Sequence, residues 1–256
     1  MTGFLAIFRK EMANFFVSPI AYSVITIFLL ISGFFFWANL SVMSLISLQA
    51  ANDPMISQRI NLTDVVVRPL TQNMSIVLLF LIPLLTMRLF SEEKKTGAIE
   101  LLMTYPISDL SAVLGKFFAA LAVLIVMLSG TISYPIILWR LGEFDVGVFL
   151  SGYLGLLMMG AAFAGLGIFV SIMTENQIVS AAISFGLALM FWIISWASSF
   201  AGQTWGVILK QLSILERLES FHKGILSLSD LSFFLFFTVF FIFLCLRSLE
   251  SLRWRG

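Results

Sequence analysis

From Val146 to Thr174 the chain reads VGVFLSGYLGLLMMGAAFAGLGIFVSIMT, 29 residues without an ionic side chain between Asp145 and Glu175. A helix of this composition is apolar on every face and has no side to offer to water. About 20 such residues cross the hydrocarbon of a bilayer. Five further uncharged stretches lie between Glu11 and Asp53 (41 residues), Arg68 and Arg88 (19), Lys116 and Arg140 (23), Glu175 and Lys210 (34), and Asp230 and Arg247 (16). Each accommodates one crossing. The last is short, but Arg247 can lift its guanidinium to the interface on its aliphatic stem. The first is nearly long enough for two, yet Asn39, Ser41, Ser44, Ser47 and Gln49 make its second half polar, which leaves one.

Composition agrees with this reading. Of 256 residues, 60% are hydrophobic and 11% charged, and the mean hydropathy is +1.03. Soluble domains are about a quarter charged, so lipid must be the solvent for much of the chain. A net charge of +1 leaves no basic surface for nucleic acid. One cysteine, Cys245, excludes an intramolecular disulfide. The first 17 residues carry Arg9, Lys10 and Glu11 and show neither the apolar core nor the cleavage site of a signal peptide, so this segment reads as retained.

The expected organisation is one all-α membrane domain over residues 1–256 with six transmembrane helices. These fall at 19–40, 73–90, 116–139, 148–173, 178–200 and 231–247, with an interfacial helix at 1–18, a cytoplasmic segment at 91–112 and an extracytoplasmic amphipathic segment at 201–230. Six crossings put both termini on one side. The segments on that side hold nine Lys and Arg, the opposite loops six, which assigns the termini to the cytoplasm.

Finer features follow. Pro83 and Pro135 remove backbone donors inside the second and third crossings and predict kinks. Gly160 with Ala164, and Ala161 with Gly165, are spaced for close helix approach. This serves either packing within the chain or a subunit interface. Phe4, Ile7, Phe8, Glu11, Met12 and Phe15 recur at helical spacing, as do Ile214, Leu218, Phe221 and Ile225. Each stripe predicts a helix lying at a membrane surface.

Several chemistries are unsupported. No crossing requires a charge at the midplane, where ion-coupled transporters place one. The sole histidine, His222, has no nucleophile near it in sequence, and one histidine builds none of the usual metal sites. Gly115-Lys116 is followed by Phe117 and lacks the upstream glycine of a phosphate-binding loop. The sequence predicts no catalytic, cofactor or metal residues, and any energy for transport must come from a partner.

Charge is densest in RLFSEEKKTGAIELLMTYPISDLSAVLGK, Arg88–Lys116. Ser91 reads as a helix N-cap with Glu92 and Glu93 in the first turn. Tyr105-Pro106 ends that helix, and a second starts near Ser108 or Asp109. Apolar residues among paired acids and bases suit docking to another protein; a solvated connector is the plainer alternative.

The run FSEEKKTGAIELLMTYPISDLSAVLGK resembles the charged loop pattern of ABC-2 type ABC transporter permeases, with Ala98 where that pattern often has Thr. FFVSPIAY at Phe15–Tyr22, IPLLTMRLFSEEKK at Ile82–Lys95 and TENQIVS at Thr174–Ser180 are similar to the gliding-motility-associated permease subgroup; nitrous-oxide-reductase-maturation permeases are more distant. The resemblance implies an ABC-2, type V exporter-like transmembrane domain in the bacterial inner membrane. The implied partners are an ABC ATPase subunit in two copies, which uses ATP and Mg, a second permease subunit, and an extracytoplasmic accessory protein. It implies that Glu92, Glu93, Gly97, Glu100, Leu101 and Leu102 form a coupling helix against the ATPase, and that Glu175, Asn176 and Gln177 make a second contact. The implied function is export or transmembrane remodelling driven by that ATPase; a non-transporting anchor that passes ATPase motion to an outer partner is the alternative.

Overall fold

In the computed structural model, residues 2–50, 61–100, 107–198, 200 and 202–253 are described. The apolar runs become helices, and among the described residues there are no strands. They are α1 (Thr2–Val17), α2 (Pro19–Ala50), α3 (Arg68–Thr86, entered through a π-helical turn at Thr63–Val67), α4 (Arg88–Lys95), α5 (Asp109–Ser129), α6 (Ser133–Leu141), α7 (Val146–Met173), α8 (Gln177–Ser198), α9 (Gly202–Leu212), α10 (Ile214–His222) and α11 (Leu228–Arg253). Taking α3 with α4 and α5 with α6, six helical stretches among the described residues are long and apolar enough to cross a membrane.

The organising element is α7. Its apolar window is 78% buried, as is that of the Thr63–Lys95 stretch, against 28% for α2 and α8, and its glycines admit several neighbours. A Cβ at Gly160 would lie 2.2 Å from Leu124 of α5, at Gly155 2.7 Å from Phe221 of α10, and at Gly167 2.0 Å from Thr86 of α3. Gly165 faces Thr238 and Phe241 of α11. At these glycines the small-residue spacing therefore serves packing within the chain.

Helix ends depart from the expected spans for local reasons. The helix of the first crossing does not stop at residue 40 but continues to Ala50. Ser41, Ser44 and Ser47 donate to the carbonyls of Trp37, Ser41 and Met43, so this polar half satisfies its hydroxyls on its own backbone. The second helix breaks at Met87, one turn after Pro83. The third starts at Asp109, capped by Ser108, and breaks between Ser129 and Ser133. Pro135 then sits in the first turn of α6, where a missing N–H costs nothing. Asp145 caps α7 by accepting from Gly147 and Val148.

Both amphipathic segments dock on the bundle. In α1, Ile7, Glu11 and Phe15 are buried. Ile7 lies over Gly115 of α5, where a Cβ would come within 2.7 Å of it. In α10, Ile214, Leu218 and Phe221 are fully buried, whereas Ile225 is exposed. Gly224, at φ +81°, turns the chain out of the helix before that stripe is complete. His222 is buried with them, and burial pushes its imidazole down to about 4 against the opposing pull of Glu219.

Candidate coupling site

The break at Met87 gives α4 a start that no residue of its own can cap. Its cap residue, Met87, is helical and offers no side-chain acceptor. Ser171 of α7 supplies it instead, with its hydroxyl accepting from the amides of Phe90 and Ser91, both at 3.0 Å. The same hydroxyl donates to the Met87 carbonyl at 2.9 Å. This corrects the expected cap: Ser91 is fully buried inside α4 and donates back to Met87. At the other end of α4, Lys94 donates to the carbonyl of Ile172 at 3.2 Å and answers the negative end of the α7 dipole. Two ties thus fasten α4 to the last turn of α7.

Beyond Lys95 the helix closes at Thr96, and Gly97 takes φ +72°, a conformation that L side chains rarely adopt. Residues 98–100 resume a helical turn with Ile99 buried and Glu100 exposed. Leu101 and Leu102 lie outside the described residues.

A charge cluster joins α4 to α1 and α5. Lys116, only 1% exposed, places its ammonium 2.7 Å from Glu11 Oε1 and 3.0 Å from Glu93 Oε2. It donates to the Leu89 carbonyl at 2.6 Å and stands 4.8 Å from the centre of the Phe90 ring. Glu93 holds Lys10 through its other oxygen at 2.8 Å. Partial burial lowers the Lys10 pKa, but the hydrogen bond to Glu93 and the negative charges of Glu93 and Glu11 together outweigh it, and the net shift is upward. Nearby, Arg88 donates to the Asn14 carbonyl at 3.1 Å and lies over Phe15 at 4.9 Å. Two acids and two ammoniums neutralise one another, so the cluster binds helices together and leaves no free base or nucleophile. Beside it opens a polar groove of about 340 Å³ that also takes in Glu92 and Thr96.

The second expected contact is adjacent. Thr174, Glu175 and Asn176 form the tight link between α7 and α8. Asn176 Oδ1 accepts from Ile178 and Val179, and Asn176 N–H donates to Thr174 Oγ1, so this asparagine caps α8. Lys95, Glu175, Asn176 and Gln177 border one groove of about 510 Å³. The expected contact residues that are described therefore share one end of the bundle. Glu92, Gly97, Glu100, Glu175 and Asn176 are exposed, Gln177 is half-buried, and Glu93 turns inward to the cluster.

Sequence reasoning missed Lys10, Glu11, Lys116 and Ser171 as parts of this site. Glu11 had left a signal, since it falls on the apolar stripe of α1; Ser171 left none. His222 packs with α10 toward the other end of α7, away from this site. Among the described residues no group of His, Cys, Asp and Glu could hold a metal ion. A family model described as ABC-2 family transporter protein matches residues 5–247. No curated protein matches the chain.

Proposed function

The chain belongs to the ABC-2 family of transporter proteins, multi-pass membrane subunits, and from that premise we propose that it is the permease of an ATP-driven exporter. A separate ATPase, in two copies that carry the ATP and Mg, docks on the face formed by Glu92, Gly97, Glu100, Glu175, Asn176 and Gln177, with Leu101 and Leu102 as further expected contacts. Glu93 acts one layer inside, through Lys10 and Lys116. A second permease copy completes the membrane unit in the bacterial inner membrane, with both termini cytoplasmic. The loop motif favours the gliding-motility-associated branch, in which an extracytoplasmic accessory protein meets the opposite face.

The observation that supports this reading is the fastening of α4. An element that receives force from outside must not slide on its own support. Ser171 and Lys94 fix α4 to α7, while Glu93 and Lys116 fix it to α1 and α5. ATP binding can bias the crossings only through a difference in affinity between two arrangements, and α4 is the rigid handle through which that difference acts. Co-expression with an ABC ATPase of the same genome tests the reading. The native chain is expected to co-purify with that ATPase, and Glu100→Arg with Glu175→Arg to lose it while remaining folded. Full retention of the ATPase by the double variant would remove the proposed docking face.

A further inference from the structure

A second cavity, of about 550 Å³, opens where α4, the end of α7 and the end of α11 meet. Its walls are Phe169, Ile172, Met173, Leu244 and Leu252, while Lys94 and Arg247 stand at its edge with the hydroxyls of Ser248 and Ser251. We propose that this groove holds the phosphate headgroup of an anionic phospholipid, with an acyl chain running back along α11.

Depth and charge both point to that ligand. Arg247 is the first cation after the uncharged run that begins past Asp230, so it stands where hydrocarbon gives way to headgroups. Below it Phe240 and Phe243 are exposed on the outer surface of α11, a face that in a membrane meets acyl chains. Lys94 spends one N–H on Ile172 and has no carboxylate partner among the described residues, which leaves two donors for a phosphate oxygen. That bond also offsets the α7 carbonyls, which alone would repel an anion. Arg247 stacks on Phe243 at 5.2 Å and binds Glu250 through Nη1 at 2.7 Å, leaving other guanidinium N–H groups for the headgroup. Basic pockets between membrane helices suit anionic headgroups. Occupancy would brace the same helix that receives the ATPase; that consequence rests on the proposed function, but lipid binding does not.

Native mass spectrometry of the full chain released from nanodiscs of mixed phosphatidylglycerol and phosphatidylcholine tests the site in either orientation. Preferential retention of phosphatidylglycerol is expected. Lys94→Gln and Arg247→Gln should each weaken it about fivefold, the worth of one cation near an anionic surface. Lys94→Arg should retain it, and Ser251→Asp, at an exposed position, should lower it without touching the fold. Equal retention of both lipids, native retention in the Lys94→Gln/Arg247→Gln variant, or displacement of the lipid by inorganic phosphate at millimolar concentration would overturn the proposal.

Discussion

At the scale of single residues, Lys116 carries the most consequence. Its ammonium has almost no access to water and is held by Glu11, Glu93 and the Leu89 carbonyl. A buried pair is weak evidence for stability as a whole, but removing one partner strands the others. Lys116→Met should therefore cost about 3–5 kcal/mol, read as a lower melting temperature in detergent. Adding Glu11→Gln and Glu93→Gln to it should restore much of the loss, because the one charge then left in the cluster, Lys10, is half exposed to water. Equal melting of Lys116→Met and the native chain would mean that water reaches the cluster. The helix expected to start near Ser108 or Asp109 begins at Asp109, which sets Lys116 two turns inside α5, although charge spacing puts it at the boundary of the third crossing. Charge spacing marks where ions are tolerated, and a lysine with two carboxylates is tolerated inside a fold. Only the partner across the helix interface reveals this, and that partner is 105 residues away for Glu11.

Among elements, α4 shows how a helix is defined by something outside its own sequence. The local pattern Ser91-Glu92-Glu93 reads as a start signal, and the helix starts earlier, at Arg88, where Ser171 offers a cap from α7. A cap delivered across an interface has no signature in the capped segment. Ser171→Ala should leave the Phe90 and Ser91 amides buried without an acceptor, at about 1–3 kcal/mol of local opening energy. Hydrogen exchange should follow: amides of residues 88–91 about tenfold faster or more, with α7 unaffected. Unchanged exchange at those amides would show that the cap holds nothing. Where the signal is local, sequence reading succeeds: the helix expected to start near Ser108 or Asp109 does so, with Ser108 as its cap. Where a stripe is read by spacing alone it overshoots, as at Ile225, because a single left-handed glycine ends the helix first.

For the whole molecule, the number of crossings was legible because a charge in hydrocarbon is costly and each uncharged run is bounded by ions. Which helix forms the centre was less so; the glycines of Val146–Met173 permitted either an inner or an outer partner, and only their neighbours in space decide it. The side on which the termini lie rests on nine basic residues against six. That assignment governs the proposed function, since α4 can meet an ATPase only if its end of the bundle is cytoplasmic. Cys245 is fully buried and can be replaced by serine to give a background without thiols. In that background Glu143→Cys and Lys223→Cys, both exposed, should react with a membrane-impermeant maleimide in intact cells. Arg9→Cys and Glu175→Cys, exposed at the α4 end, should react only after permeabilisation. The pairing of sites tests the first five crossings, because one crossing more or fewer before Lys223 would separate Arg9 from Glu175 or join one of them to the other pair. Reaction of Arg9→Cys and Glu175→Cys from outside, with the other two protected, would keep the fold and invert it. The charged face around α4 would then look away from the only compartment that supplies ATP.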